Sequence, residues 1–108
     1  MLNQIVLVGR LLNNCEIKEL ESGLKVANIT IACTRSWKNQ EGCYDTDFID
    51  IVLFSDIAEK TKEYCKKGDV MGIKGRIETK EIDKEDGTKE KVQEIIAEKV
   101  TFLSSGGQ

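Results

Sequence analysis

The chain contains no histidine. That single absence removes the commonest general base and the commonest metal ligand. Its four cysteines, Cys15, Cys33, Cys43 and Cys65, are widely spaced and form no Cys-x-x-Cys pair. The ligand pattern of a structural zinc site is therefore missing as well. There is no Gly-rich phosphate loop and no nucleophile motif. Carboxylates occur singly among lysines, as on any solvated surface. Together these absences argue against an enzyme, a metal and a cofactor. No stretch approaches the roughly 18 consecutive apolar residues of a membrane span. Residues 1–4 lack the basic region and long apolar run of a secretory signal. Cytoplasmic residence is the default expectation. Thiols stay reduced there, and Cys33 and Cys65 are expected as small core residues.

What is present fits one domain: 108 residues are enough to bury a core. The net charge of −3 opposes simple attraction to nucleic acid, but its distribution matters more. Residues 1–40 and 60–80 are net basic, whereas residues 41–59 and 81–98 are net acidic. A basic surface is compatible with an acidic total.

Residues 4–11 read as a first strand, with Gly9 as a bend or bulge. Residues 12–23 are polar and end in the turn signal Glu21-Ser22-Gly23. Alternation predicts a second strand over 24–34 and a third over 46–54, with a loop around 38–42. The period then changes. Ser55 or Asp56 is a candidate helix cap, with Glu59 three residues after Asp56. Ile57, Ala58, Thr61, Tyr64 and Cys65 share one helical face, with Tyr64 expected to pack. Lys66 and Lys67 fall in the last turn and Gly68 stops the helix. A fourth strand over 70–80 carries Gly72 and Gly75 as bending points. Asp86-Gly87 marks a hairpin tip, and a fifth strand covers 92–103, with Phe102 as core or subunit interface. Residues 104–108 read as a flexible tail after a domain spanning 1–103. This order predicts an all-β fold: a five-stranded OB-fold barrel with one α-helix between strands three and four and an extended hairpin between strands four and five.

The third strand is unusual. Even spacing puts Phe48 and Phe54 on one face, while Ile49, Ile51 and Leu53 fill the other. A strand with one buried face normally makes its second face polar. Rings on that face suit stacking. On the fourth strand, Lys74, Arg76, Glu78, Lys80 and Ile82 share one parity, and Ile73, Gly75, Ile77 and Thr79 turn inward. Cations for phosphates beside rings for bases are what a single-strand platform needs. Parity alone does not place Trp37: it falls with core residues unless a bulge intervenes.

Several stretches, taken together, resemble the bacterial single-stranded DNA-binding (SSB) proteins. They are Asn3-Gln4-Ile5-Val6-Leu7-Val8-Gly9-Arg10-Leu11, Ser22-Gly23 with Val26-Ala27-Asn28-Ile29-Thr30, Asp47-Phe48-Ile49, Lys66-Lys67-Gly68-Asp69 and Gly72-Ile73-Lys74-Gly75-Arg76-Ile77-Glu78-Thr79. The match is collinear to about Leu103. The resemblance implies an OB-fold, sequence-tolerant binding of single-stranded DNA and a homotetramer. It puts stacking rings at Trp37, Phe48 and Phe54 and favours an exposed Trp37. It puts groove cations at Arg35, Lys38, Lys74, Arg76 and Lys80, then Arg10, Lys18 and Lys67. Two departures stand out. Ile82 occupies a common aromatic position, which implies weaker or more salt-sensitive binding. The acidic C-terminal tip that recruits replication and repair proteins is absent, as expected of a shortened chain or a short paralogue. The alternative function is a primosome-type OB protein that acts mainly as a protein-interaction module.

Overall fold

A computed structural model describes residues 1–104 of the chain. Six strands and one helix run in the order β1 (Ile5–Leu11), β2 (Ile17–Glu19), β3 (Lys25–Lys38), β4 (Tyr44–Phe54), α1 (Ser55–Tyr64), β5 (Val70–Asp83) and β6 (Lys89–Ser104). The sheet order is β1-β5-β6-β4-β3-β2, and an additional β1–β3 pairing closes the ring. The expected five-stranded barrel with its single helix is present, with β2 as a short addition. That addition lies in the segment read as a polar connection. Ile17 packs against the core, and Ile17, Lys18 and Glu19 pair with Ala27, Val26 and Lys25.

Alternation builds the core. Leu11, Ile29, Ile31, Ile51, Leu53, Met71 and Ile73 are fully buried. Each such side chain contributes about 1.5–3 kcal/mol relative to exposure. All are odd-numbered, so the even-numbered residues of β1, β3 and β4 face outward wherever pairing is regular.

Two hairpins run past the barrel further than the sequence suggests. β3 and β4 stay paired to Lys38 and Tyr44, and β5 and β6 to Asp83 and Lys89. Polar strands pair here because their backbone groups satisfy one another even where no core covers them. The first tip is held by the Asn39 side-chain oxygen, which accepts from the backbone N–H groups of Glu41 and Cys43. The second uses Asp86, whose carboxylate accepts from the Thr88 N–H and hydroxyl, with Gly87 at φ 86°. Because β5 leaves the barrel, Ile77 and Thr79 are exposed rather than turned inward.

The helix departs from expectation at both ends. Phe54, extended, occupies the cap position and no side chain caps the first turn. Neither Ser55 nor Asp56 does so, and Ser55 adopts φ 52°. The helix ends at Tyr64, where the Cys65 N–H donates to the Thr61 carbonyl. Lys66 and Lys67 therefore lie in the following turn, and Lys62 is the basic residue of the last helical turn. Tyr64 is exposed rather than packed, and Phe102 is 45% exposed rather than core. Cys15 and Cys65 are buried, Cys33 is half-buried, and all four thiols are free. Ser104, expected as the start of the tail, is the last residue of β6; residues 105–108 lie outside the described residues.

The barrel closes on two glycines. A Cβ on Gly9 would sit 2.7 Å from the Ala32 carbonyl oxygen, where β1 crosses β3. A Cβ on Gly75 would overlap the Ile96 carbonyl, where β5 passes the end of the β4–β6 contact. Gly72, also expected as a bend, has ordinary room around it; the β5 register shifts fall at Val70/Met71 and Lys74/Gly75. Gly75→Ala is expected to destabilise the fold by about 1–3 kcal/mol through backbone overpacking. In a domain of this size, roughly 4–8 °C of Tm is lost per kcal/mol. Thermal and urea melts superimposable on the native protein's would contradict this account of closure.

Candidate functional site

β4 carries the site. Phe48 is 67% exposed and Phe54 is half-buried, both on the outward face, with Asp50 and Val52 between them. Their separation along the strand is roughly 20 Å at about 3.3 Å per residue. Cross-strand pairing sets a cation in line with each ring. Arg10 pairs with Ala32, which pairs with Phe48. Lys18 pairs with Val26, which pairs with Phe54. Each row spans two strand spacings, roughly 10 Å between cation and ring at the backbone. Between the rows, the Thr30 hydroxyl donates to Asp50 at 2.6 Å.

Beside the Lys18 row lies a groove of about 730 Å³, lined by Asn13, Asn14, Lys18, Val26, Asn28 and Lys67 among others. Two of its amides serve the fold. Asn13 accepts from the Thr30 N–H and Asn14 from the Lys67 N–H. The second bond holds the Lys67 turn against the β1–β2 connection. Arg10 donates to the Gly68 carbonyl at 2.7 Å, which ties the same turn to the first row. The family resemblance implies Arg10, Lys18 and Lys67 but not the three asparagines as groove residues. Only register and the loop path bring those together.

Trp37 is 62% exposed. It lies where the β3–β4 register shifts between Thr34 and Lys38. Its ring centroid is 5.7 Å from the Arg35 guanidinium, within cation–π range. Arg35 in turn gives a bidentate pair of hydrogen bonds to Asp47, at 3.0 and 2.9 Å, with Asp45 3.7 Å away. Those bonds hold the Arg35 pKa above its ordinary value and the Asp47 carboxyl below its own. A depressed carboxyl pKa means that the pair contributes above the unfolded value. That contribution is lost only as pH falls through the folded one, so the pair is intact at neutral pH. Nearby, the Lys38 ammonium lies 5.9 Å from the Tyr44 ring centroid.

The β5 cations are placed differently. β5 is separated from β4 by β6 and from β3 by β1. Arg76 donates to Glu78 at 2.7 Å and to Glu98 at 3.3 Å, and bonding to Glu78 raises its pKa. Lys80 pairs with Glu94 at 3.0 Å. Among the described residues, Lys74 has no ion-pair partner; its register neighbours are Val6 and Lys99. Ile82 pairs with Glu90 near the arm's tip.

The arrangement offers flat rings, cations at set intervals and an amide-lined groove. It suits flat apolar groups joined by negative links. No cluster of three or more metal-ligating side chains occurs among the described residues. Burial pushes the Cys15, Cys33 and Cys65 thiols up, away from the reactive thiolate. Among the described residues, no helix is long and apolar enough to cross a membrane.

Comparison with known proteins agrees with this geometry. The model of the "Single-strand binding protein family" matches residues 2–103. A "Single-stranded DNA-binding protein" of Halalkalibacterium halodurans is 42% identical over 107 residues, covering 99% of this chain and 64% of that protein. "Single-stranded DNA-binding protein B" of Bacillus subtilis is 38% identical, covering 95% of this chain and 91% of that protein. A solved structure titled "Plasmodium falciparum SSB complex with ssDNA" superposes with a TM-score of 0.82 at 28% identity, covering 96% of each chain.

With Trp37 exposed, its emission should resemble that of indole in water and be readily quenched by acrylamide. Blue-shifted emission resistant to acrylamide would return Trp37 to the core.

Proposed function

The chain belongs to the single-strand binding protein family, and from that premise we propose that it binds single-stranded DNA without sequence selection. The role is non-enzymatic protection of the strand during replication, recombination and repair. One observation carries the reading: Phe48 and Phe54 stand on an outward sheet face, each in line with a cation two strands away. Every base has a π-face, so stacking on rings tolerates any sequence. Phosphate contacts add affinity that falls with salt and carry no sequence information. Binding the open strand in preference to paired DNA melts hairpins by mass action.

The proposed domain is residues 1–103. Trp37, Phe48 and Phe54 are the stacking groups. Lys38, Arg10, Lys18, Lys67 and Lys74 supply available cations. Arg76 and Lys80 contribute less, because a phosphate would have to displace carboxylates already bonded to them. Ile82 at the arm's tip lowers affinity relative to a ring there. A homotetramer is supported by two features. The edge of β1 opposite β5 pairs with β3 only at Arg10 and Leu11. Val6, Val8 and Leu103 are exposed apolar side chains. The site of action is the cytoplasm or nucleoid.

A docking module that works chiefly through protein contacts would be indifferent to loss of these rings. Phe48→Ala and Phe54→Ala are each expected to weaken oligo-dT binding by about 1–3 kcal/mol, the range typical of stacking platforms, single-strand binding proteins among them. Lys18→Gln and Lys67→Gln should each lower the slope of log affinity against log salt by about 0.7, and Lys80→Gln by less. Native affinity in both phenylalanine variants would refute the proposal.

A further inference from the structure

We propose that Asp47 and Arg35 act on bound DNA through Trp37, as residues that hold its ring in place, rather than through the phosphates. The inference rests on the single-strand binding reading above. The family resemblance implies the opposite for Arg35: an available cation in a groove. In the structure both edges of the Asp47 carboxylate face the guanidinium, with donor–acceptor distances of 3.0 and 2.9 Å, and Asp45 lies on its remaining side at 3.7 Å. The Nε–Nη2 edge that would grip a phosphate in two-pronged fashion is engaged by Asp47, the third nitrogen lies beside Asp45, and the guanidinium carbon sits over the indole ring, 5.7 Å from its centroid.

Trp37 needs such a support. It sits in the β3 segment where the register with β4 shifts, between Thr34 and Lys38, so the ladder does not fix it. It is 62% exposed, so most of the side chain stands open to solvent. A freely rotating ring pays ordering entropy when a base stacks on it; a ring already braced pays less. The Asp47 carboxylate fixes the guanidinium, and the guanidinium braces the indole. This also explains acidic side chains beside a surface that receives a polyanion. By charge alone Asp45 and Asp47 weaken binding.

That conflict of sign supplies the test. Affinity for fluorescent oligo-dT is measured by anisotropy for the native chain, Asp47→Asn, Trp37→Ala and the double variant, with thermal melts to confirm folding. Asp47→Asn removes a negative charge, yet it is expected to weaken binding about three- to fivefold, on the scale of an exposed cation–π contact. In the Trp37→Ala background the same change should have no effect or should tighten binding, since the ring it served is gone. Arg35→Lys keeps the charge but loses the fork and the flat face. It should weaken binding as Asp47→Asn does and leave the salt slope unchanged. Tighter binding by Asp47→Asn with Trp37 present would overturn the proposal, as would equal weakening in both backgrounds. If the native chain fails to bind oligo-dT, the functional reading falls with it; a binding native chain with an additive cycle removes only this inference.

Discussion

Closure of the barrel depends on the short parallel contact between β4 and β6, where Ile51 meets Ile95 and Val52 meets Ile96. Everything that positions the site follows from it. β5 must pass Ile96 closely, which only a glycine at position 75 allows. Once the ring is shut, Ile51 and Leu53 can point only inward. Strand alternation then leaves Phe48 and Phe54 no other side. Exposure of two large rings is thus a consequence of core packing on the same strand. The β1–β3 crossing at Gly9 completes the frame by bringing Arg10 level with Phe48.

Charge on this molecule is governed by pairing more than by totals. An acidic protein can still offer a cationic surface if its acids spend themselves on particular cations. The β5–β6 arm shows this: Arg76, Lys80 and Lys84 all face glutamates of the arm. Lys25 is likewise engaged by Glu59. Around the β3–β4 face, Arg10, Lys18 and Lys67 have no such partners among the described residues, and it is there that the groove opens. Exposed ion pairs add little to stability. Their main effect here is to decide which cations remain free for a ligand.

The sequence carried the local part of this picture. Period-two alternation identified the buried and outward faces of β4, and the change of period located the helix between β4 and β5. The long collinear resemblance identified the family and favoured an exposed Trp37. What it did not carry was non-local. Which carboxylate meets Arg35 depends on the register that pairs Cys33 with Asp47. Which one meets Arg76 depends on how β6 folds back on β5. The cations of residues 60–80 form one basic block along the chain, yet Lys67 lies in the groove while Arg76 and Lys80 lie on the arm. The helix cap failed for a related reason. A capping-box spacing at Asp56 was present, but β4 runs straight into the helix through Phe54 and the cap geometry never forms.

The central claim is that the strand lies chiefly across the outward face of β3 and β4 and the adjoining groove, rather than along the ion-paired part of the β5–β6 arm. Photocrosslinking with oligo-dT carrying iodouracil, followed by peptide mapping, tests it most directly. The account predicts adducts at Trp37, Phe48 and Phe54 and in the Lys18 segment. Adducts confined to residues 76–94 would contradict it.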